Sequence, residues 1–503
     1  MQTSHGISAG PRRKGIGLKT GTSILTGLAL RRVQALCIAL IVLKLAHLSF
    51  AGVFMDEAYY WMWGQHPALS YYDHPPLNAW LFALSSAVFG WNSFALRLPV
   101  AMAFIADIFA LYLISRRIAG AAWSGHFWLT LLLFLVTPVF WMVTNYGLPD
   151  HLLLTTLLFS IYFFFRFFQD RAVGQAGATR DLMLGALFLG LAGLAKYNAA
   201  FLGIGIGVFV LLYDRALLRQ GRLYLAALLA LALQAPVIAW NSAENFASWR
   251  FILEGRHSGL EASFDGVYPL VIGVLIFITP ILFWPIIQFA FSRKNIVPGF
   301  GFARAAFFVS SGAIIALAFS TATLFHWNLV AYAAMLPFLA LYMRPRWLIP
   351  LQALAGTAFA IAIFINYAIV PITNVSGWKD EASGWSYGWA PTAEAVEAAK
   401  LEHPVGFVAA TDYTTASLLG FALRDPDVVS LSTKRDQYDY WFDARAHAGE
   451  DAILFADRWR PIRAAVRRQF ESIEELRTLR VRPHGRNVDT HVIYLAKGFK
   501  PRG

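Results

Sequence analysis

Read from its amino terminus, the chain alternates long apolar runs with short polar breaks. A helix needs roughly 17–25 residues to cross a bilayer. The pattern predicts eleven crossings, at about 33–53, 94–115, 122–142, 150–168, 182–195, 197–213, 223–240, 267–290, 305–324, 329–343 and 347–371. Residues 77–89 (LNAWLFALSSAVF) are too short to cross, and their amphipathic pattern predicts a helix lying in the membrane interface. Residues 182–213 form one hydrophobic block interrupted by AKYNA. Two short helices meeting at Lys196 are expected there, because a single span would bury the lysine at its centre. Beyond residue 371, short runs at 405–410, 427–432, 452–456 and 491–496 read as strands. They are separated by helical or polar stretches such as RAAVRRQFESIEELRTL, and together predict a small α/β domain.

Composition places this pattern in a membrane. The chain is 57% hydrophobic and 14% charged, which an ordinary soluble domain does not tolerate. Its charges divide evenly, 36 among residues 1–371 and 36 in the tail, so their density rises sharply near Pro371. Three regions follow: a basic segment 1–30, a membrane domain 31–371 and a C-terminal α/β domain 372–503. The tail is balanced, with 18 basic and 18 acidic residues, so the net charge of +12 belongs wholly to the apolar part. It is topological information and not a nucleic-acid signature. Clusters such as Arg31/Arg32, Arg116/Arg117, Arg166/Arg171/Arg180, Arg215/Arg219/Arg222 and Arg344/Arg346 mark the cytoplasmic side. Starting inside, eleven crossings put the C-terminal domain outside. The apolar run at 33–53 is long for a cleaved signal and reads as a retained anchor. The single cysteine, Cys37, excludes an internal disulfide.

On this topology the outer side receives Asp56, Glu57, Asp73, His74, Asp150, Lys196, Arg250, Glu254, Arg256, His257 and His326, while the inner loops are almost purely basic. Asp56 and Glu57 in MDEAYYWMW either cap a helix or serve as acids at the mouth of the bundle, where partial desolvation makes a carboxylate a better base. In YYDHPPL, two prolines force an extended turn and permit a helix to begin, fixing Asp73 and His74 at its start. Asp150 in NYGLPDH either caps the next crossing or joins them. Lys196 and Arg256/His257 offer positive charge to a phosphate or simply meet headgroups. His326 in FHWN sits in a tight outer turn. Tyr59 and Tyr60 either line a substrate site or belong to an interfacial aromatic belt, and Tyr197 stands beside Lys196. Lys44 and Asp107 fall inside crossings, as a buried pair or each facing a wet cavity.

The segments DEAYYWMW…YYDHPPLNAW, ALRLP, LPD, GLAKYNA, PVIAWNSAENFASWRF and FHWN, in this order over roughly residues 30–370, resemble the bacterial branch of the GT-C glycosyltransferases. These are the protein-mannosyltransferase-like enzymes, including the lipid A aminoarabinose and galacturonic acid transferases. RDQYDYW (435–441) is similar to their outer domain. The resemblance implies a polytopic α-helical membrane protein of the bacterial inner membrane. It implies transfer of a sugar from a polyprenyl-phosphate donor to a lipid or glycolipid acceptor on the periplasmic face. Asp56 maps onto the base, with Glu57 beside it and Asp150 as the short-loop acid. Lys196 and Arg256 map onto the phosphate contacts. Where the aminoarabinose transferases carry acid–lysine before the prolines, this chain has Asp73–His74. A divalent ion on Asp56, Asp73 and His257 is left open. The rival readings are a transporter or flippase working through Lys44 and Asp107, and a non-catalytic protein that binds prenyl lipids.

Overall fold

The computed structural model describes residues 25–252, 264–292, 297–372, 381–485 and 487–501. Helices form where the apolar runs predict them: α1 (Gly27–Phe50), α4 (Ser93–Ala119), α5 (Trp123–Val136), α6 (Pro138–Val143), α7 (Pro149–Ala172), α8 (Thr179–Ala195), α9 (Ala200–Tyr213), α10 (Gly221–Ala232) and α11 (Ala235–Ala243). A single turn, α12 (Ala247–Arg250), precedes α13 (Val267–Phe277), α14 (Phe283–Phe291), α15 (Gly301–Ala318), α16 (Leu329–Leu339) and α17 (Leu348–Phe364). Between α1 and α4 lie α2 (Met55–Gln65) and α3 (Leu77–Phe89). Among the described residues, six helical stretches are long and apolar enough to cross a membrane. Two bent pairs, α10–α11 at 46° and α13–α14 at 82°, reach that length jointly. The bends fall where Pro236 and Pro280 each open the second helix of the pair, removing a donor from the ladder. The break expected at Lys196 is present: its backbone is extended (φ −158°, ψ 139°) between α8 and α9.

The bundle has two chemically distinct ends. At one end the termini of α4 and α7 and the start of α8 bring arginines to acids: Arg117 to Asp170 at 2.5 Å, Arg166 to Asp181 at 3.2 Å, and Arg171 to Asp214. At the opposite ends of the same helices stand α3, Asp150 and Lys196. Between them, Ile38, Val42, Met102, Ile105 and Leu228 are exposed, a surface suited to lipid. The α3 helix buries Asn78, Ala79, Phe82 and Ser85 while exposing Leu84, Val88 and Phe89, the two-faced character expected of it. Inside the bundle Lys44 and Asp107 do not pair directly. The lysine donates to Thr144 Oγ1 and Asn145 Oδ1, both at 2.7 Å, and sits over the Phe104 and Trp141 rings. Asp107 is paired with His151 at 3.0 Å.

The C-terminal region forms a five-stranded sheet of order β2-β1-β3-β5-β4, from β1 (Phe407–Ala410), β2 (Val429–Ser430), β3 (Ala452–Asp457), β4 (Ser472–Val481) and β5 (Asp489–Lys497). β1 pairs in parallel with β2 and β3, and β5 runs antiparallel to β3 and β4. Helices α18 (Trp389–Glu402), α19 (Tyr413–Leu423) and the short α20 (Ala464–Arg467) accompany it. The stretch expected to be helical or polar is split: only Ala464–Arg467 is helical, and residues 472–481 form edge strand β4. Its Glu474 and Glu475 are exposed on this edge strand, where charges discourage pairing with another chain.

The aromatic block of α2 is neither an interfacial belt nor a cleft lining as a whole. Trp61, Met62 and Trp63 are sealed from solvent in a core shared with Val396, Leu419, Phe455 and Ile493. This core crosses the boundary expected near residue 371. Each such fully buried side chain contributes roughly 1.5–3 kcal/mol, so α2 is anchored to the C-terminal region by its own core residues.

Candidate active site

The turn between α2 and α3 is held from the C-terminal region. Tyr59 donates its hydroxyl to Asp73 Oδ2 at 2.8 Å and accepts the Gln437 N–H at 3.1 Å. Gln437 Oε1 in turn accepts the Tyr72 N–H at 2.7 Å. Pro75 and Pro76 then lead into α3. Asp73 and His74 are thereby fixed, as the sequence leads one to expect, though by a latch more than 360 residues away in the chain.

Asp150, at the first turn of α7, receives Lys196 in a two-pronged grip, 2.9 Å to one carboxylate oxygen and 2.8 Å to the other. Both are buried. His74 and His326 lie within electrostatic reach of the same carboxylate. Asn198, just past the break, donates to the Trp327 carbonyl at 2.8 Å and ties the AKYNA break to the FHWN turn. Tyr197 lines the same cavity as Lys196, its hydroxyl bonded to Ser248 at 2.9 Å. These elements enclose a cavity of about 200 Å³ with two natures. Its lining combines the polar Asp73, His74, Lys196 and Asn198 with the apolar Phe201, Ile314 and Leu317.

Asp56 is half-buried at the start of α2. Tyr60 stands between the acids, close enough to feel Asp56, Asp73 and Asp150, and burial and those charges together push its phenol well above the usual range. Burial and the Asp73 carboxylate do the same to Tyr59. Both phenols are therefore neutral, and Tyr59 donates to one acid of the cluster. Glu57 is placed differently from its neighbour. It is fully buried, 2.8 Å from Arg97, and accepts the Gly147 N–H at 2.9 Å and the Phe54 N–H at 3.3 Å. Its surroundings are those of a structural pair. Burial raises its carboxyl above the ordinary value, opposed by Arg97.

Arg256 and His257 lie outside the described residues. Among the described residues no three histidine, cysteine or acidic side chains are grouped closely enough to hold a metal ion. Three site residues carry no signal in their local sequence. Tyr413 opens α19 with its ring 4.6 Å from Tyr59, in reach of Asp56 and Asp73. Arg460 binds Asp412, Asp457 and Glu381 and touches the sulfur of Met55, the residue before Asp56. Gln437 lies within RDQYDYW, a segment the sequence marks without assigning it a contact.

With this geometry in view, comparison with known proteins is informative. The family described as dolichyl-phosphate-mannose-protein mannosyltransferase matches residues 73–240. A lipid A galacturonosyltransferase, RgtD of Rhizobium johnstonii, is 27% identical over 269 residues, 50% of this chain. The match spans about half of that relative's length (52%). The crystal structures of ArnT from Cupriavidus metallidurans, bound to undecaprenyl phosphate and in the apo state, superpose with TM-scores of 0.61 and 0.62. Both are 14% identical, over 92% and 93% of this chain and 98% of theirs. The fold is that of the GT-C class. Within it, the chain is similar over half its length to a lipid A galacturonosyltransferase.

Proposed function

We propose that the protein is a membrane glycosyltransferase. It moves a sugar from a polyprenyl-phosphate carrier to a hydroxyl of lipid A or a related envelope glycolipid, at the periplasmic face of the bacterial inner membrane. In this reading eleven helical passes carry the catalytic domain, residues 31–371, and the C-terminal domain, 372–503, is periplasmic. The chain acts as a monomer. The observation that carries the reading is the two-natured cavity: a prenyl phosphosugar is apolar at one end and anionic at the other, and the cavity walls match both.

Asp56 takes the proton from the acceptor hydroxyl. That oxygen bonds to the anomeric carbon as the carbon's bond to the phosphate oxygen breaks, with inversion, and the bonding electron pair leaves with the phosphate. Lys196 has three N–H donors, two of which go to Asp150, so one is left for the departing charge. His74 stands beside it on the same wall. Arg256 and His257 are further phosphate partners in this reading. Asp150 and Glu57 position the cation and the loop. Asp56 and Asp73 are the carboxylates that offer oxygens to a divalent ion, and no step requires one.

The test compares the envelope lipids of a deletion strain with those of its parent by mass spectrometry, complemented with wild type or Asp56→Asn. Loss of a hexose- or uronate-sized mass, restored by wild type alone, is the expected result. In vitro, Asp56→Asn should lower turnover by about 10²–10⁴-fold while still binding donor. Unchanged lipids, or full activity of Asp56→Asn, would overturn the reading.

A further inference from the structure

The segment 435–441 has two sides. Through Gln437 it latches the Asp73 turn, and through Tyr438 and Trp441 it walls a second, larger cavity of about 440 Å³ at the starts of β1 and β2. His66, from the end of α2, lies against the Trp441 ring at 4.3 Å and 20°, and its Nε2 is 3.1 Å from the Pro426 carbonyl. Phe442 adds a second aromatic surface, stacked on His447 at 5.0 Å. Asp425, Asp427 and Asp443 stand at the opening, with Lys400 as the lining's sole lysine. Lys400 is itself committed to Glu397 at 3.0 Å.

This lining selects a chemistry. Aromatic faces are electron-rich and pack against the weakly positive C–H surface of a sugar ring. Carboxylates accept hydroxyl hydrogens or an ammonium group, and three of them against one engaged lysine repel a phosphate. With four valines beside its four aromatic rings and three acids, the lining joins apolar surface to carboxylates, which suits an uncharged or cationic sugar ring better than an anion. The position is also suggestive. Gln437–Tyr440 is a 3-10 turn, so the Trp441 wall lies on the order of 8 Å along the chain from the latch, a separation that a short oligosaccharide spans.

We infer that this cavity binds unphosphorylated sugar residues, neutral or amine-bearing, of the acceptor glycan while its reacting hydroxyl lies at Asp56. The acceptor assignment rests on the transferase reading, whereas the binding of sugar does not. The test uses the full chain in detergent, without donor, and follows tryptophan fluorescence and saturation-transfer NMR with galactose, glucosamine and glucose 1-phosphate. Galactose or glucosamine should bind saturably, with glucose 1-phosphate at least about tenfold weaker. Trp441→Ala and Asp427→Lys should each weaken binding by at least about tenfold, and Asp56→Asn should leave it unchanged. Asp427 is exposed, so its substitution keeps the test decisive if Trp441→Ala fails to fold. No binding of either sugar up to tens of millimolar, a preference for glucose 1-phosphate, retention in both cavity variants, or loss in Asp56→Asn would each overturn the proposal. Full turnover by Asp56→Asn bears on the transferase reading alone, because binding is measured without turnover.

Discussion

Two buried carboxylate–cation pairs lie at the same end of the bundle with the same closest approach, 2.8 Å: Glu57 with Arg97, and Asp150 with Lys196. They differ in what surrounds them. Glu57 also takes two backbone N–H groups, and Arg97 also donates to the carbonyls of Asn145 at 3.2 Å and Gly52 at 3.0 Å. The Glu57–Arg97 pair is thus tied into the backbone at four points. Lys196 lines a cavity, with two histidines near its acid, and among the described residues its side-chain hydrogen bonds go to Asp150 alone. Backbone ties mark the pair that holds the fold. In the proposed reading, a neighbouring cavity marks the pair that meets a ligand.

Substitutions separate the two. Arg97→Met leaves Glu57 buried without its counter-charge and should cost about 3–5 kcal/mol, read as a large fall in melting temperature in detergent. Protein that survives should keep its turnover number. Lys196→Met should do the reverse. Turnover falls about 10²–10³-fold, while the melting temperature moves much less, since His74, His326 and the open cavity accommodate Asp150. Equal losses of stability in both variants would erase the distinction. Tyr59→Phe removes the donor to Asp73 and one link of the Gln437 latch. A hydrogen bond to a charged group is worth about 1.5–3 kcal/mol, and part of that should appear as a raised KM, checked by steady-state kinetics.

The smallest effect concerns a third buried acid, Asp489, for which burial outweighs its basic neighbours. Burial, with the charge of Asp457, pushes the Asp489 carboxyl up to about 7 from its ordinary 3.8. The folded chain therefore keeps a proton that the unfolded chain has released. The stability this contributes is complete below pH 3.8 and is lost as pH rises through about 7. Asp489→Asn should flatten the melting temperature against pH by a few degrees, with its advantage over wild type above pH 7. An unchanged slope would show that the acid is ionised in the fold.

The sequence carries the bundle because long apolar runs admit one structure in a bilayer. It also carries the short two-faced helix α3, the break at Lys196 and the Asp73–His74 turn, since length, a central lysine and two prolines are local signals. Pairing is not local. Nothing near Glu57 names Arg97, and Asp150 and Lys196 were legible as separate charges but not as partners 46 residues apart. The buried fate of Trp61 and Trp63 was equally hidden, because a belt and a core draw on the same residues. Strand β4 was obscured for a similar reason: a charged edge strand and the outer face of a helix have much the same composition.

The core that joins Trp61 and Trp63 to Ile493 has a consequence for biosynthesis. A ribosome makes the acids of α2 long before strand β5, so the segment bearing Asp56 waits for several hundred further residues before its packing is complete. A nascent chain that stops short of β5 would hold the bundle and the acids without the scaffold that packs them. Competence is acquired late, although its reactive groups are made early.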